Sequence, residues 1–488
     1  MSTLLKLSRT LSRLVLGGLL GLTAHLPASH GQVKLPDIGD ASRSVLSAGD
    51  ERAMGDAFLR EIRAYLPLLE DIEVVSFVRS MGDRLVAAGD THNRSFRFVV
   101  VNANQVNAFA GPGGLIGVNT GLIALSRKES ELASVMAHEI AHVTQNHLSR
   151  ALEASARTGP LALAGLLAGL VLATQNAQAG QAAVASVLAG SVQSRLDFTR
   201  QNEKEADRVG TALLAEANYD PRAMPTFFEH LQQSNRYYSE PPEFLSTHPV
   251  TVSRIAESRA RAEQFPYKQY VDSIDYQLVR AKVIALSKSK PTEAIEHFEA
   301  QLRSGLHASE DAVRYGLAVA LMQAKRWGEA MPHVEWLLAR YPDRIPLLAA
   351  WADVMRHTGQ ADKARTIYQE TLKIYPTDTL MTEKYAELLL LEKRPAQALP
   401  VLETYGRHGE PTAIIHELTA RALSGVGHNL EANAALAEAY VARGDLDAAI
   451  HQLGIALRQH VRDHYAAERA QARMEQLQVV QRERAKGL

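Results

Sequence analysis

Two histidines four residues apart, with a glutamate directly after the first, carry the clearest chemical signal: His138-Glu139-Ile140-Ala141-His142. On a helix, positions i and i+4 share a face one turn apart, so both imidazoles can reach one metal ion. Glu139 then lies beside that face, where its carboxylate can take a proton from a water. The surrounding Leu132, Val135, Met136 and Val143 make the segment strongly apolar. Three polar groups in such a helix would be costly without partners, so their types and spacing point to a metal centre with hydrolytic chemistry.

A catalytic zinc needs three protein ligands and one open position. The third has to come from another element, and Arg200-Gln201-Asn202-Glu203-Lys204-Glu205-Ala206-Asp207 offers candidates. Glu203 and Asp207 are four apart and share a helix face, with Ala206 allowing close approach. Glu205 points elsewhere and reads as a solvated charge. An ordinary acidic helix surface has the same spacing, so residue types alone leave the roles of Glu203 and Asp207 open.

Elements must hold these groups in place. Residues 51–90 show helical apolar spacing, with Ala53, Phe58, Ile62 and Leu66, then Ile72, Val75, Val78, Met81 and Leu85. The period then changes. Residues 96–101 and Leu115–Val118 read as strands, with Gly111-Pro112-Gly113-Gly114 as the turn between them. Ser126-Arg127-Lys128-Glu129 has the form of a capping box opening the motif helix, which the apolar pattern carries past Leu148. A second long helix covers 191–217, closed by Asn218-Tyr219-Asp220-Pro221. Between the two, Leu161–Ala173 is a run of thirteen apolar residues containing Gly165-x-x-x-Gly169, followed by an alanine-rich stretch to Gly190. Thirteen residues are too few to span a bilayer. Residues 161–190 therefore read as a helical hairpin beside the site: a lid, a membrane-surface contact, or a merely buried pair.

Beyond about residue 275 the pattern is helical and repetitive. Ala330, Ala364 and Ala398 are each 34 residues apart, as are Tyr341-Pro342 and Tyr375-Pro376. Weaker members stand at 289–294 and 444–449. The period resembles the tetratricopeptide repeat, whose superhelix offers a concave face to extended or helical protein segments.

The whole chain agrees with this division. Its 488 residues predict two or three domains, and 46% hydrophobic with 22% charged residues is ordinary for a folded chain. A net charge of −1 without a basic run argues against a nucleic-acid partner. The absence of cysteine excludes disulfides, thiolate metal sites and cysteine nucleophiles. Lys6, Arg9 and Arg13 precede apolar Leu14–Ala24 and then small residues to Gly31. That is the form of a signal peptide over residues 1–31 and predicts export, with an uncleaved anchor as the alternative.

His138–His142 together with Glu203-x-x-x-Asp207 resemble the gluzincin family of CAAX prenyl proteases and heat-shock peptidases. Asn107-Ala108-Phe109-Ala110-x-Pro112-Gly113-Gly114, Thr120-Gly121-Leu122-Ile123, Ser246-Thr247-His248-Pro249 and Arg254-Ile255 agree with that family, over about residues 50–262. The resemblance implies an α+β, mostly α chain. A zincin-like metallopeptidase domain with a small sheet would occupy 32–270, and an all-α repeat superhelix 271–488. It implies one zinc ion per chain on His138, His142 and Glu203. Glu139 would be general base and acid, passing a proton from water to the leaving amine. Asp207 would orient a ligating histidine. His248 falls where the family has a histidine near the metal, either stabilising the oxyanion or filling the fourth position and holding the enzyme inactive. A turn residue before Pro249 is the plainer alternative.

Family members with a leader and carboxy-terminal repeats act in the periplasm of Gram-negative bacteria. The resemblance thus implies an endopeptidase that degrades unfolded or stalled outer-membrane β-barrel proteins and engages the β-barrel assembly machinery through its repeats. The other reading is a chaperone or scaffold whose peptidase site is dormant. Leu115–Val118 is expected to pair with an extended substrate by edge addition, provided that this strand lies at an edge of its sheet.

Overall fold

The computed structural model describes residues 48–89, 91, 94–156, 192–234, 243–409, 411–458 and 464–486. The leader over 1–31 and the apolar hairpin over 161–190 lie outside the described residues. The described chain opens with helix α1 (Ala48–Tyr65) and helix α2 (Ile72–Ala88). Asp71 caps α2 by accepting from the Val74 N–H, which satisfies one of the free donors of the first turn. The α2 face of Val74, Val78, Met81 and Leu85 is buried, as its apolar spacing requires.

Three strands follow: β1 (Arg97–Val101), β2 (Ala108–Gly111) and β3 (Leu115–Asn119). The pattern of β-branched residues announced β1 and β3. It did not announce β2, whose Ala-Phe-Ala-Gly has little strand propensity of its own and forms because the turn folds it back on β3. Gly113 and Gly114 adopt φ of 67° and 70° in that turn, and a Cβ at Gly114 would collide with the Ser95 carbonyl. The sheet order is β1-β3-β2, with β1 parallel and β2 antiparallel to β3. β3 is therefore internal, all five of its residues are buried, and both its hydrogen-bonding edges are taken. Edge addition of a substrate to Leu115–Val118 is excluded.

Helix α3 (Glu129–Thr144) carries the His-Glu-x-x-His segment, and every residue from Glu129 to Ala141 is buried. The expected capping box does not form. Ser126 Oγ donates back to the Leu122 carbonyl, while Glu131 accepts from the Arg127 N–H at 2.7 Å. Glu129 instead accepts from the Ser273 N–H at 2.7 Å and ties the start of α3 to the segment leading into the repeats. The helix also stops earlier than its apolar pattern suggests. Asn146 turns the chain with a left-handed φ of 56°, and α4 (His147–Ala156) restarts it in a new direction.

Helix α5 (Val192–Glu216) lies along α3, and its end is marked by Asn218 at φ 63°. Small residues let the two approach: a Cβ at Gly210 would stand 3.2 Å from the His138 backbone nitrogen. Helices α6 (Ala223–Ser234), α7 (Glu243–Thr247) and α8 (Val252–Ala262) close over them. Val135, Met136, Ile140, Leu214, Phe227, Leu231 and Phe244 form the shared core.

From α9 (Ile274–Leu286) onward, the described residues form antiparallel helix pairs through Leu446–Leu457 and a last helix, His464–Lys486. Ala294, Ala330, Ala364, Ala398 and Ala449 are all fully buried, where a larger side chain would force the paired helices apart. The array is fastened to the amino-terminal half by Lys282 of α9. Its Nζ lies 2.7 Å from Glu73 Oε2 and 2.8 Å from Asp71 Oδ2, and the Tyr315 hydroxyl donates to Glu73 Oε2 at 2.7 Å. Among the described residues, no helix is long and apolar enough to cross a membrane.

Candidate metal centre

Two helices and one loop supply the site. α3 presents His138, Glu139 and His142 on one face, α5 presents Glu203 and Asp207 opposite, and the turn after α7 brings in His248. His142 Nε2 stands 3.0 Å from His138 Nε2, and Glu203 has one carboxylate oxygen 3.4 Å from each of those nitrogens. His248 Nδ1 lies 3.0 Å from Glu203 Oε1 and 3.3 Å from His138 Nε2. Ligand atoms of His138, His142, Glu203 and His248 all lie within 4.8 Å of one another. The structure thus brings together every residue that the sequence singled out for the site.

This donor set fits a divalent cation. Imidazole nitrogens and a carboxylate converge on one buried point, the ligand chemistry of zinc. Beside them Glu139 is 1% exposed, and its Oε1 has no hydrogen-bond partner. His248 Nε2 stands 3.5 Å from that oxygen. The electrostatics agree. Burial alone would push His138 down, but Asp207 and Glu203 overcome it and raise the imidazole to about 10. Glu203 is held well below the usual carboxylate range despite its burial, by His248, His138 and His142. Negative charge therefore converges on this buried point, the electrostatic setting of a cation site. A bound cation would serve the same carboxylates and take up both Nε2 lone pairs.

Asp207 stands behind His138, with Oδ1 3.0 Å from His138 Nδ1. Arg254 of α8 donates to both Asp207 oxygens, from Nε and Nη2, each at 2.8 Å. Its Nη1 lies 2.9 Å from Glu203 Oε2 and donates to the Pro249 carbonyl at 2.9 Å. One guanidinium therefore fixes two carboxylates and the His248-Pro249 turn, a bidentate geometry a lysine would not reproduce. Sequence reasoning assigned Arg254 no role and marked it only within the family-like pair Arg254-Ile255. His248 is set from below by Phe244, whose ring stacks on it with centroids 4.8 Å apart.

Glu205 was expected to be a solvated charge. It is partly buried instead and accepts from Arg150 Nη2 at 2.7 Å, with His147 Nε2 at 3.1 Å. The turn at Asn146 causes this by folding α4 back against α5, which no local pattern could reveal. Burial pushes His147 down to about 4.

Residues 76–262 match peptidase family M48, and residues 284–345 match a tetratricopeptide repeat. The beta-barrel assembly-enhancing protease of Escherichia coli strain K12 is 35% identical over 447 residues, 92% of this chain and 92% of its own length. A putative beta-barrel assembly-enhancing protease of Vibrio cholerae is 37% identical over 459 residues, 94% of each chain. The mitochondrial metalloendopeptidase OMA1 of Arabidopsis thaliana is 33% identical over 162 residues, 33% of this chain and 30% of its own.

Proposed function

The chain belongs to peptidase family M48 as a metalloendopeptidase with tetratricopeptide repeats, and we propose that it is an exported zinc enzyme of outer-membrane protein quality control. His138, His142 and Glu203 hold one zinc ion per chain. The observation that carries this reading is the buried convergence of two imidazoles and a carboxylate beside the unpartnered Glu139 Oε1. When bound, zinc polarises the scissile carbonyl and makes a water acidic enough to attack near neutral pH. Glu139 accepts the proton of that water and delivers it to the leaving amine. Asp207 keeps a proton on His138 Nδ1 and so turns the Nε2 lone pair inward. Arg254 holds Asp207 and Glu203 in register and balances part of their charge.

His248 lies between Glu203 and Glu139, where it would fill the fourth position of a bound zinc and hold the site closed until substrate displaced it. This favours a second role in the same molecule, in which the repeats engage assembling proteins while proteolysis is held in check.

The leader over 1–31, a peptidase domain over 32–270 and a repeat domain over 271–488 complete the reading. Two relatives named for β-barrel assembly align over nearly the whole chain. They support the periplasm as the compartment, misfolded or stalled outer-membrane β-barrel proteins as substrates, and the assembly machinery as the partner of the repeats. The test is cleavage of an unfolded outer-membrane protein by wild type and Glu139→Gln. Cleavage by wild type alone is expected. Equal rescue of a deletion strain by both proteins would instead make the scaffold role the dominant one.

A further inference from the structure

We propose that His147 and Glu205 are positioning residues for His142, which they lock in the tautomer whose Nε2 lone pair faces the metal position. The inference rests on the proposed ligand role of His142. Each ring nitrogen of His142 has a distinct neighbour: Nε2 faces His138 Nε2 at 3.0 Å, and Nδ1 lies 2.8 Å from His147 Nδ1. Beyond it, His147 Nε2 is 3.1 Å from Glu205 Oε2, and Arg150 donates to that same oxygen at 2.7 Å. His147 is 5% exposed, so water does not compete for its nitrogens.

The proton pattern follows from donor and acceptor counting. Glu205 only accepts, so His147 carries its proton on Nε2 and presents a bare Nδ1. That bare nitrogen accepts a hydrogen bond from the His142 Nδ1–H, and His142 is left with a free lone pair on Nε2. Reversing one ring would put two N–H groups, or none, between the two Nδ1 atoms, and reversing both would set a bare His147 Nε2 against the Glu205 carboxylate. His138 receives the same instruction directly from Asp207, backed by Arg254. The two ligating histidines are thus aimed by separate carboxylate–arginine pairs, one by direct contact and one through an intervening imidazole. Removing such a support typically costs 10- to 100-fold in metal affinity.

The experiment measures the zinc dissociation constant by chelator competition, together with the visible spectrum of the cobalt(II)-loaded protein. The proteins are full-length wild type, His147→Ala, His147→Asn, Glu205→Gln and His142→Ala. His147→Ala is expected to weaken zinc about 10- to 100-fold and to alter the cobalt spectrum. His147→Asn keeps an acceptor oxygen near the place of Nδ1 and is expected to recover most of the loss, which a space-filling role would not require. Glu205→Gln is expected to show a smaller loss in the same direction and serves if His147→Ala does not fold, as melting of the metal-stripped proteins reports. Wild-type affinity in a folded His147→Ala, beside loss of zinc in His142→Ala, overturns the inference and spares the ligand assignment. Wild-type affinity in His142→Ala overturns both.

Discussion

The helices of the metal centre and those of the repeat array pack closely by different means. In the array, a small residue recurs every 34 positions, and the buried Ala330, Ala364 and Ala398 let backbones approach. In the centre, α3 and α5 also meet over small residues, Ala206 and Gly210, but the interface between them holds Glu139, Glu203, Asp207 and two histidines. The alanine contacts of the array depend on no single polar group. The centre does, because each of its charges is solvated only by another, and removing one strands its partner. The difference separates what periodic packing can build, an extended surface, from what needs converging charge, a reactive point.

Lys282 stands where the two regions meet and shares the logic of the centre. Lys282→Met leaves Glu73 without its cation at a buried position and is expected to cost about 3 kcal/mol, reduced by the partial exposure of Asp71. Denaturant midpoints of mutant and wild type check it. Within the centre, Asp207→Asn removes the anion shared by His138 and Arg254. Zinc affinity is expected to fall about 10- to 100-fold, measured by chelator competition, with a second loss in melting temperature from the stranded guanidinium. In the array, Ala364→Leu overfills a fully buried crossing and is expected to cost about 1–3 kcal/mol in thermal stability while leaving zinc affinity unchanged. A change in zinc affinity there would break the division between the regions.

Two smaller effects sharpen it. His248→Ala is expected to raise the cleavage rate severalfold at unchanged zinc content, since the competent fraction of sites no longer waits on His248 leaving. Glu383 tests the array by pH. Burial is the main cause that raises its carboxyl to about 7, with Lys384 opposing and Glu387 adding. A carboxyl whose folded pKa is raised contributes stability below its unfolded pKa and loses it as pH climbs through the folded value. Wild type is therefore expected to lose stability relative to Glu383→Gln between about pH 4.5 and 7, seen as diverging melting curves.

Much of this was legible in the sequence, for a physical reason that differs between the regions. His138 and His142 sit one turn apart, as do Glu203 and Asp207, so helix geometry alone places each pair on one face, with Glu139 beside the first. The repeats announce themselves because the same packing demand recurs at a fixed period. What stayed hidden depends on contacts between distant segments. Arg254 acts only through α8 meeting α5, and Glu205 gains its partners only because Asn146 reverses the chain. The order β1-β3-β2 is a topological fact that alternation of side chains does not encode, so β3 read as an available edge when it is the centre of the sheet. Lys282 carries no local mark of its two carboxylates, more than two hundred residues away in the chain.

The most direct test of the whole account is zinc content beside peptide-bond cleavage for purified mature wild type, Glu139→Gln and Glu203→Ala. One zinc per chain is expected in the first two, with cleavage lost only in Glu139→Gln of that pair by about 10²- to 10⁴-fold, and little or no zinc is expected in Glu203→Ala. Wild-type cleavage by Glu139→Gln, or a full complement of tightly held zinc in Glu203→Ala, would contradict it.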